Sequence, residues 1–169
     1  MKKFNYYFMV FILGAFIGWI YEICFYFITE NNLTNPGFLY GPYLPVYGYG
    51  ALLMVLLFKP LKKQPVLIFI FSMLLTGVLE YFTGKIMFDI WHRTWWDYTG
   101  LFLNIDGYVC LRSVLSFAIG GEVLIYFIEP QIQKLLDKEF THQIDMFLNI
   151  FMVIFLADNL VSFLLRHPI

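Results

Sequence analysis

One run of residues restricts this chain more than any other. Phe8–Phe27, FMVFILGAFIGWIYEICFYF, is twenty residues long and carries Glu22 as its only charge. At about 1.5 Å per residue, such a helix reaches across a hydrocarbon core of about 30 Å. Gly14, Gly18 and Glu22 recur every fourth residue and so stack on one helical face. The two glycines form a small-xxx-small pair that admits a second helix at short range. That pairing puts the carboxylate on the protein side of the helix rather than the lipid side. A carboxylate inside a membrane helix is costly and marks a candidate functional group.

The rest of the chain is of the same kind. It is 60% hydrophobic and only 14% charged, where a soluble domain carries about a quarter charged residues. The expectation is an all-α, polytopic membrane helix bundle forming a single integral membrane domain over residues 1–169. Five spans are expected, at about residues 5–28, 45–58, 66–88, 108–128 and 146–165. The second is short and entered through Gly and Pro. The connector 130–145, PQIQKLLDKEFTHQID, places Ile132, Leu135, Leu136 and Phe140 at helical spacing. That is the pattern of a short amphipathic helix lying on the cytoplasmic side of the membrane. The N-terminal MKKFNYYF resembles the start of a signal peptide, but the apolar run is long and no A-x-A-like site follows it, so it reads as a retained span.

Basic residues set the expected orientation. Lys2, Lys3, Lys59, Lys62, Lys63, Lys134 and Lys138 fall on one side, and Lys85, Arg93, Arg112 and Arg166 lie near the other. This favours a multi-pass protein of the cell membrane with a cytoplasmic N-terminus and an extracytoplasmic C-terminus.

Several chemistries are disfavoured by composition and motif. A net charge of −1 offers no basic field for nucleic acid. The phosphate-binding pattern G-x-x-x-x-G-K-[ST] is absent, so any ATP-driven process needs a separate ATPase. No G-x-S-x-G nucleophile elbow occurs. His92, His142 and His167 lack metal-ligand spacing, and neither a metal nor another cofactor is expected. Cys24 and Cys110 read as small core residues, with one bridge between them left open.

The span assignments convert to depths. Glu22, Glu80 and Arg112 lie about 5, 9 and 6 Å inside the outer boundary of a ~30 Å core. Three charges on three helices thus fall in one outer layer, where a guanidinium can pair with a carboxylate in a polar pocket. Thr76, Glu80 and Gly84 share a face of the third span, and Arg112, Ser116 and Gly120 share one on the fourth. Glu122 points to another side. Asp158 shares a stripe with Ser162 and Arg166 and reads as a helix-packing contact.

Two loops would cap the pocket. The first, TENNLTNPGFLYGPYL, is a succession of turns that leads into Pro45-Val-Tyr-Gly48 and contributes Asn35 and Tyr47 as candidate contacts. The second, DIWHRTWWDYTGLFLNIDG, places Trp and Tyr at headgroup level and contributes Asp97 and Asn104. Its LFLNI stretch is apolar where a solvated loop would be polar, which suggests a segment dipping back into the protein.

Ordered blocks of residues carry a resemblance. Asn35-Pro-Gly-Phe-Leu-Tyr-Gly-Pro42, then Pro45-Val-Tyr-Gly48 and Gly50-Ala51, form the first. Glu80-Tyr81 with Gly84, Trp96-Asp97-Tyr98, Asn104, Gly107 and Cys110-Leu111 with Ser113 follow in order. Over about Gly14–Pro130 the chain resembles the bacterial family called putative ABC-transporter type IV. Pro36 stands where that family commonly has Arg, and Phe88 stands near where it often has a second acid. The resemblance implies a permease-like membrane component of a transport system.

Three function classes follow: a transport component with an outward-facing polar pocket, a membrane enzyme acting on a lipid or envelope precursor, and a non-catalytic assembly or regulatory partner. The expected partners are the lipid bilayer, a separate ATPase or other membrane subunit, and further copies of the chain.

Overall fold

The computed structural model describes residues 2–31, 33–137 and 141–165. The described residues are helical, with turns and one isolated bridge between Ile105 and Val109. The helices are α1 (Lys2–Glu30), α2 (Pro45–Phe58), α3 (Pro65–Trp91), α4 (Leu111–Val123), α5 (Glu129–Leu136) and α6 (Thr141–Leu165). A short 3-10 turn, Lys59–Leu61, follows α2, and a π turn, Leu124–Ile128, joins α4 to α5.

Among the described residues, four stretches are long and apolar enough to cross a membrane: Lys3–Ile28, Pro65–Trp91, Leu111–Leu136 and His142–Leu165. The expected second span forms a helix with the expected bounds, but its 14 residues rise only about 21 Å. The fourth stretch is longer than expected from sequence. Residues 129–136 form α5, which follows the π turn within the same long stretch to Leu136. Residues 138–140 lie outside the described residues, and 141–145 open α6. Read from sequence, Pro130 points to a helix start. Proline cannot make the i→i−4 bond and clashes with the carbonyl a turn earlier. The wider π turn just before it absorbs that conflict, so the helix proceeds.

The chain divides into two compact units, one formed by 1–53 with 129–167, the other by 54–128. In the first, small residues set the packing of α1 on α2. A Cβ on Gly14 would sit 2.5 Å from that of Ala51, and one on Gly18 would fall inside the Tyr47 ring. The arrangement is reciprocal, because a Cβ on Gly48 of α2 would lie 2.7 Å from the Phe11 carbonyl of α1. Phe11, Ile12 and Ala15 pack with Leu39, Tyr43 and Phe155, so loop and helix share one core. Edge-to-face contacts at 5.4 Å join Phe155 to both Phe11 and Tyr43.

In the second unit, α3 begins with Pro65 in its first turn, where a missing amide costs nothing. Its buried residues are Ile68, Ser72, Thr76, Glu80 and Gly84, a single line of every fourth position. The line is mostly small and polar, so α4 lies close along it and runs the opposite way. A Cβ on Gly121 would clash with Ser72 Oγ, one on Gly77 would lie 3.3 Å from Val114, and Glu80 accepts from Ser113. Tyr126 donates to the Lys62 carbonyl at 2.7 Å and extends the same register. Helix α3 stops at His92, whose left-handed backbone (φ 53°) returns its amide to Phe88 at 2.7 Å.

Candidate functional site

In the second unit, the polar centre is Glu80. Its side chain is only 7% exposed, and it accepts hydrogen bonds from Ser113 Oγ at 2.7 Å and Tyr98 Oη at 3.1 Å. Ser113 is held by the start of α4. The Cys110 amide donates to Ser113 Oγ at 3.2 Å, and the Ser113 amide donates to Cys110 Sγ at 3.4 Å, a reciprocal cap. The Ser113 hydroxyl has one proton, and the nearby carboxylate is a stronger acceptor than the Cys110 carbonyl at 2.9 Å. The guanidinium of Arg112 stands over the Tyr98 ring, 6.0 Å from its centroid. Glu80 thus meets hydroxyl donors from the start of α4 and from the loop before it.

Tyr98 reaches Glu80 because the loop 92–110 turns back along α3. Trp96 and Tyr108 both rest on Gly84, where a Cβ would lie 2.7 Å from the Tyr108 ring. Trp96 Nε1 donates to the Tyr108 carbonyl at 2.9 Å, and Tyr81 donates to Asp106 at 3.0 Å. The backbone therefore dips back, as expected from LFLNI. The apolar side chains do not enter the protein, however: Phe102 and Leu103 are 74% and 63% exposed. Gly107 adopts φ +74°, and a Cβ there would meet Asp97 at 2.8 Å, so glycine is needed on both counts.

In the first unit, Glu22 accepts a hydrogen bond from Tyr47, the residue wedged against Gly18. One turn earlier on α1, Trp19 Nε1 donates to Asn35 at 2.9 Å. Asn35 also organises its own loop, accepting from the Gly37 amide at 3.1 Å and donating to the Leu39 carbonyl at 2.9 Å. Glu22, Tyr47 and Asn35 thus lie around the C-terminal half of α1, while Glu80 and Arg112 belong to the other unit.

The remaining candidates serve local structure. Asn104 donates to the Leu101 carbonyl at 3.0 Å, and Ser116 donates to the Arg112 carbonyl at 2.9 Å. Asp97 accepts from the Thr99 amide at 2.8 Å, and bonding to Thr99 holds its carboxyl below the usual range. A depressed carboxyl stabilises the fold above its unfolded value and ceases to do so as pH falls through the folded one. The turn at Thr99 should therefore be insensitive to pH around neutrality and loosen below the ordinary value of 3.8. Amide exchange at Thr99 in Asp97→Asn should match the acid behaviour of the wild type even at neutral pH; slow exchange in the variant would contradict this role.

Two further carboxylates each accept from several donors. Asp158 accepts from the Tyr40 amide at 3.1 Å, the Gly41 amide at 2.8 Å, the Tyr43 hydroxyl and Ser162 at 3.0 Å. Its role is to hold the first loop rather than to pack helices; Arg166 lies outside the described residues. Burial, and then Asp158, raise the Tyr43 phenol above its ordinary pKa, which keeps it a donor. Glu129, 1% exposed, accepts from Tyr6 and Gln133. Both cysteines are free; Cys110 is buried and Cys24 exposed. Among the described residues, no three His, Cys, Asp or Glu gather to hold a metal.

Long apolar helices packed through small residues, with carboxylates answered by hydroxyls and backbone amides, define a helical membrane protein. The chain matches the family described as putative ABC-transporter type IV over residues 9–163, and it belongs to that family. It is accordingly a transport-related membrane protein. No curated protein and no solved structure matches it.

Proposed function

We propose that the chain is the membrane-embedded, permease-like component of a transport system, and that Glu80 with Tyr98, Ser113 and Arg112 forms its outward-facing polar site. The observation that carries this reading is the position of Glu80. A line of Ser72, Thr76 and Gly84 would pack α3 on α4 without any carboxylate, and a buried acid is an expensive way to fix register. Glu22 and Tyr47 form a second polar site in the other unit. Helix α2 with its 3-10 extension, Pro45–Leu61, supplies a fifth, short crossing. Five crossings would put the two termini on opposite sides of the membrane, and the lysines then favour a cytoplasmic N-terminus and an extracytoplasmic C-terminus. A separate ATPase is the expected partner, with lipid and further copies around it.

Affinity capture of the tagged protein from its native membranes should bring down a chain carrying the G-x-x-x-x-G-K-[ST] loop. Its consistent absence would remove the ATP-driven reading. For the site, cells carrying Glu80→Gln should show the same altered small-molecule content as cells lacking the protein, at unchanged protein level. Wild-type content in that variant would sink Glu80 as a substrate contact.

A further inference from the structure

The second unit presents an apolar loop tip whose level against α3 can be worked out. Tyr98 bonds Glu80 at 3.1 Å and Asp106 bonds Tyr81 at 3.0 Å, so both limbs of the loop are tied to the middle of α3. Tyr81 stands ten residues before the helix end at Trp91, which places these ties about 15 Å back along the axis. With 27 residues, α3 is about 40 Å long and overshoots a ~30 Å core by only about 10 Å. The ties therefore lie within the hydrocarbon. The tip does not rise away from them, because the Phe102 carbonyl accepts from Leu111, the first residue of α4, at 3.3 Å.

Irregular backbone at that depth is tolerated only if its polar groups are satisfied. Here the amides of Tyr98, Leu101, Asn104, Ile105, Tyr108 and Val109 all find carbonyls within the loop. The one polar side chain at the tip, Asn104, turns its amide onto the Leu101 carbonyl. The apolar side chains point the other way: Phe102, Leu103 and Ile105 are 74%, 63% and 57% exposed. Leu103 holds a left-handed backbone (φ 54°) that L-residues seldom adopt, so its outward position is built in. Val78 and Phe82 of α3, at the level where the loop is tied to Tyr81, are exposed as well.

We propose that Phe102–Ile105 is seated in the acyl region of the outer leaflet, making this loop a lipid-contacting element. The bilayer, rather than a protein partner, is the occupant because the tip is tied at the level of exposed apolar residues of a spanning helix and its one polar side chain is turned onto its own backbone. The test uses full-length protein with Cys24→Ala; Cys110 is buried and stays. Single Phe102→Cys, Leu103→Cys and Ile105→Cys variants are nitroxide-labelled and reconstituted in phosphatidylcholine vesicles. Spin-label collision with oxygen and with a water-soluble nickel chelate is compared with labels at Phe82 and Asp89. Oxygen-to-nickel ratios several-fold above that of Asp89, and close to that of Phe82, are expected. Ratios like that of Asp89 would place the tip in water. Low collision with both reagents would mean protein covers it, and either outcome overturns the proposal. Three independent sites keep the test valid if one variant fails to fold.

Discussion

Asp158→Ala is expected to be the most damaging single substitution among those considered, lowering stability by about 3–5 kcal/mol. The carboxylate answers four donors, two of them backbone amides of Tyr40 and Gly41. Alanine leaves these donors facing apolar helix, and each donor left unsatisfied costs about 1–3 kcal/mol unless water reaches it. The loss should appear as a lower melting temperature in detergent and as early proteolysis within residues 33–44. Asp158→Asn separates charge from shape: one oxygen still accepts, but the new amide group meets donors with a donor. About half the loss is expected there. Tyr43→Phe removes one donor and leaves the amides satisfied, so about 0.5–1.5 kcal/mol is expected. If Asp158→Ala melts with the wild type, the loop is held by its hydrophobic contacts alone.

Gly18→Val should be nearly as severe, for a different reason. A Cβ on Gly18 overlaps the root of the Tyr47 ring, not the flexible end of a side chain, so α2 itself must move. Overpacking of this kind costs about 1–3 kcal/mol and sometimes more. It has a second effect, since moving Tyr47 withdraws the hydroxyl from Glu22. Gly50→Ala is the control: it lies on the same helix as Tyr47, and nothing stands within 4 Å of its added methyl. Melting should fall sharply for the first and little for the second. Equal effects would show that close approach of α1 and α2 is not what these glycines serve.

What could be read from the sequence was what repeats locally or counts along a helix. The Gly14–Gly18–Glu22 line is a matter of spacing, and α2 packs on it as that spacing demands. The shared level of Glu80 and the start of α4 came from a fixed rise per residue, and the Ser113 contact agrees with it. The Asp158–Ser162 stripe is legible as spacing, but the hold of Asp158 on the first loop is not, because two of its donors are backbone amides, which every residue has and no residue type advertises. Glu129 was passed over because Pro130 normally marks a helix start, and nothing local reveals that a π turn lets the helix through. Tyr98 looked like one more interfacial aromatic. Only the return of its loop along α3 turns its hydroxyl toward a carboxylate.

The hold of Asp158 on the first loop also sets a schedule. Tyr40 and Asp158 are 118 residues apart. At about 5–20 residues per second, synthesis delivers the carboxylate roughly 6–24 seconds after the amides that need it. Through that interval α1 and α2 can already pack, because their contacts are close in sequence, while the loop between them has no acceptor for the Tyr40 and Gly41 amides. Residues 33–44 are therefore among the last parts of the first unit to set. A chain stopped before Asp158 would contain the whole loop and still be unable to close it.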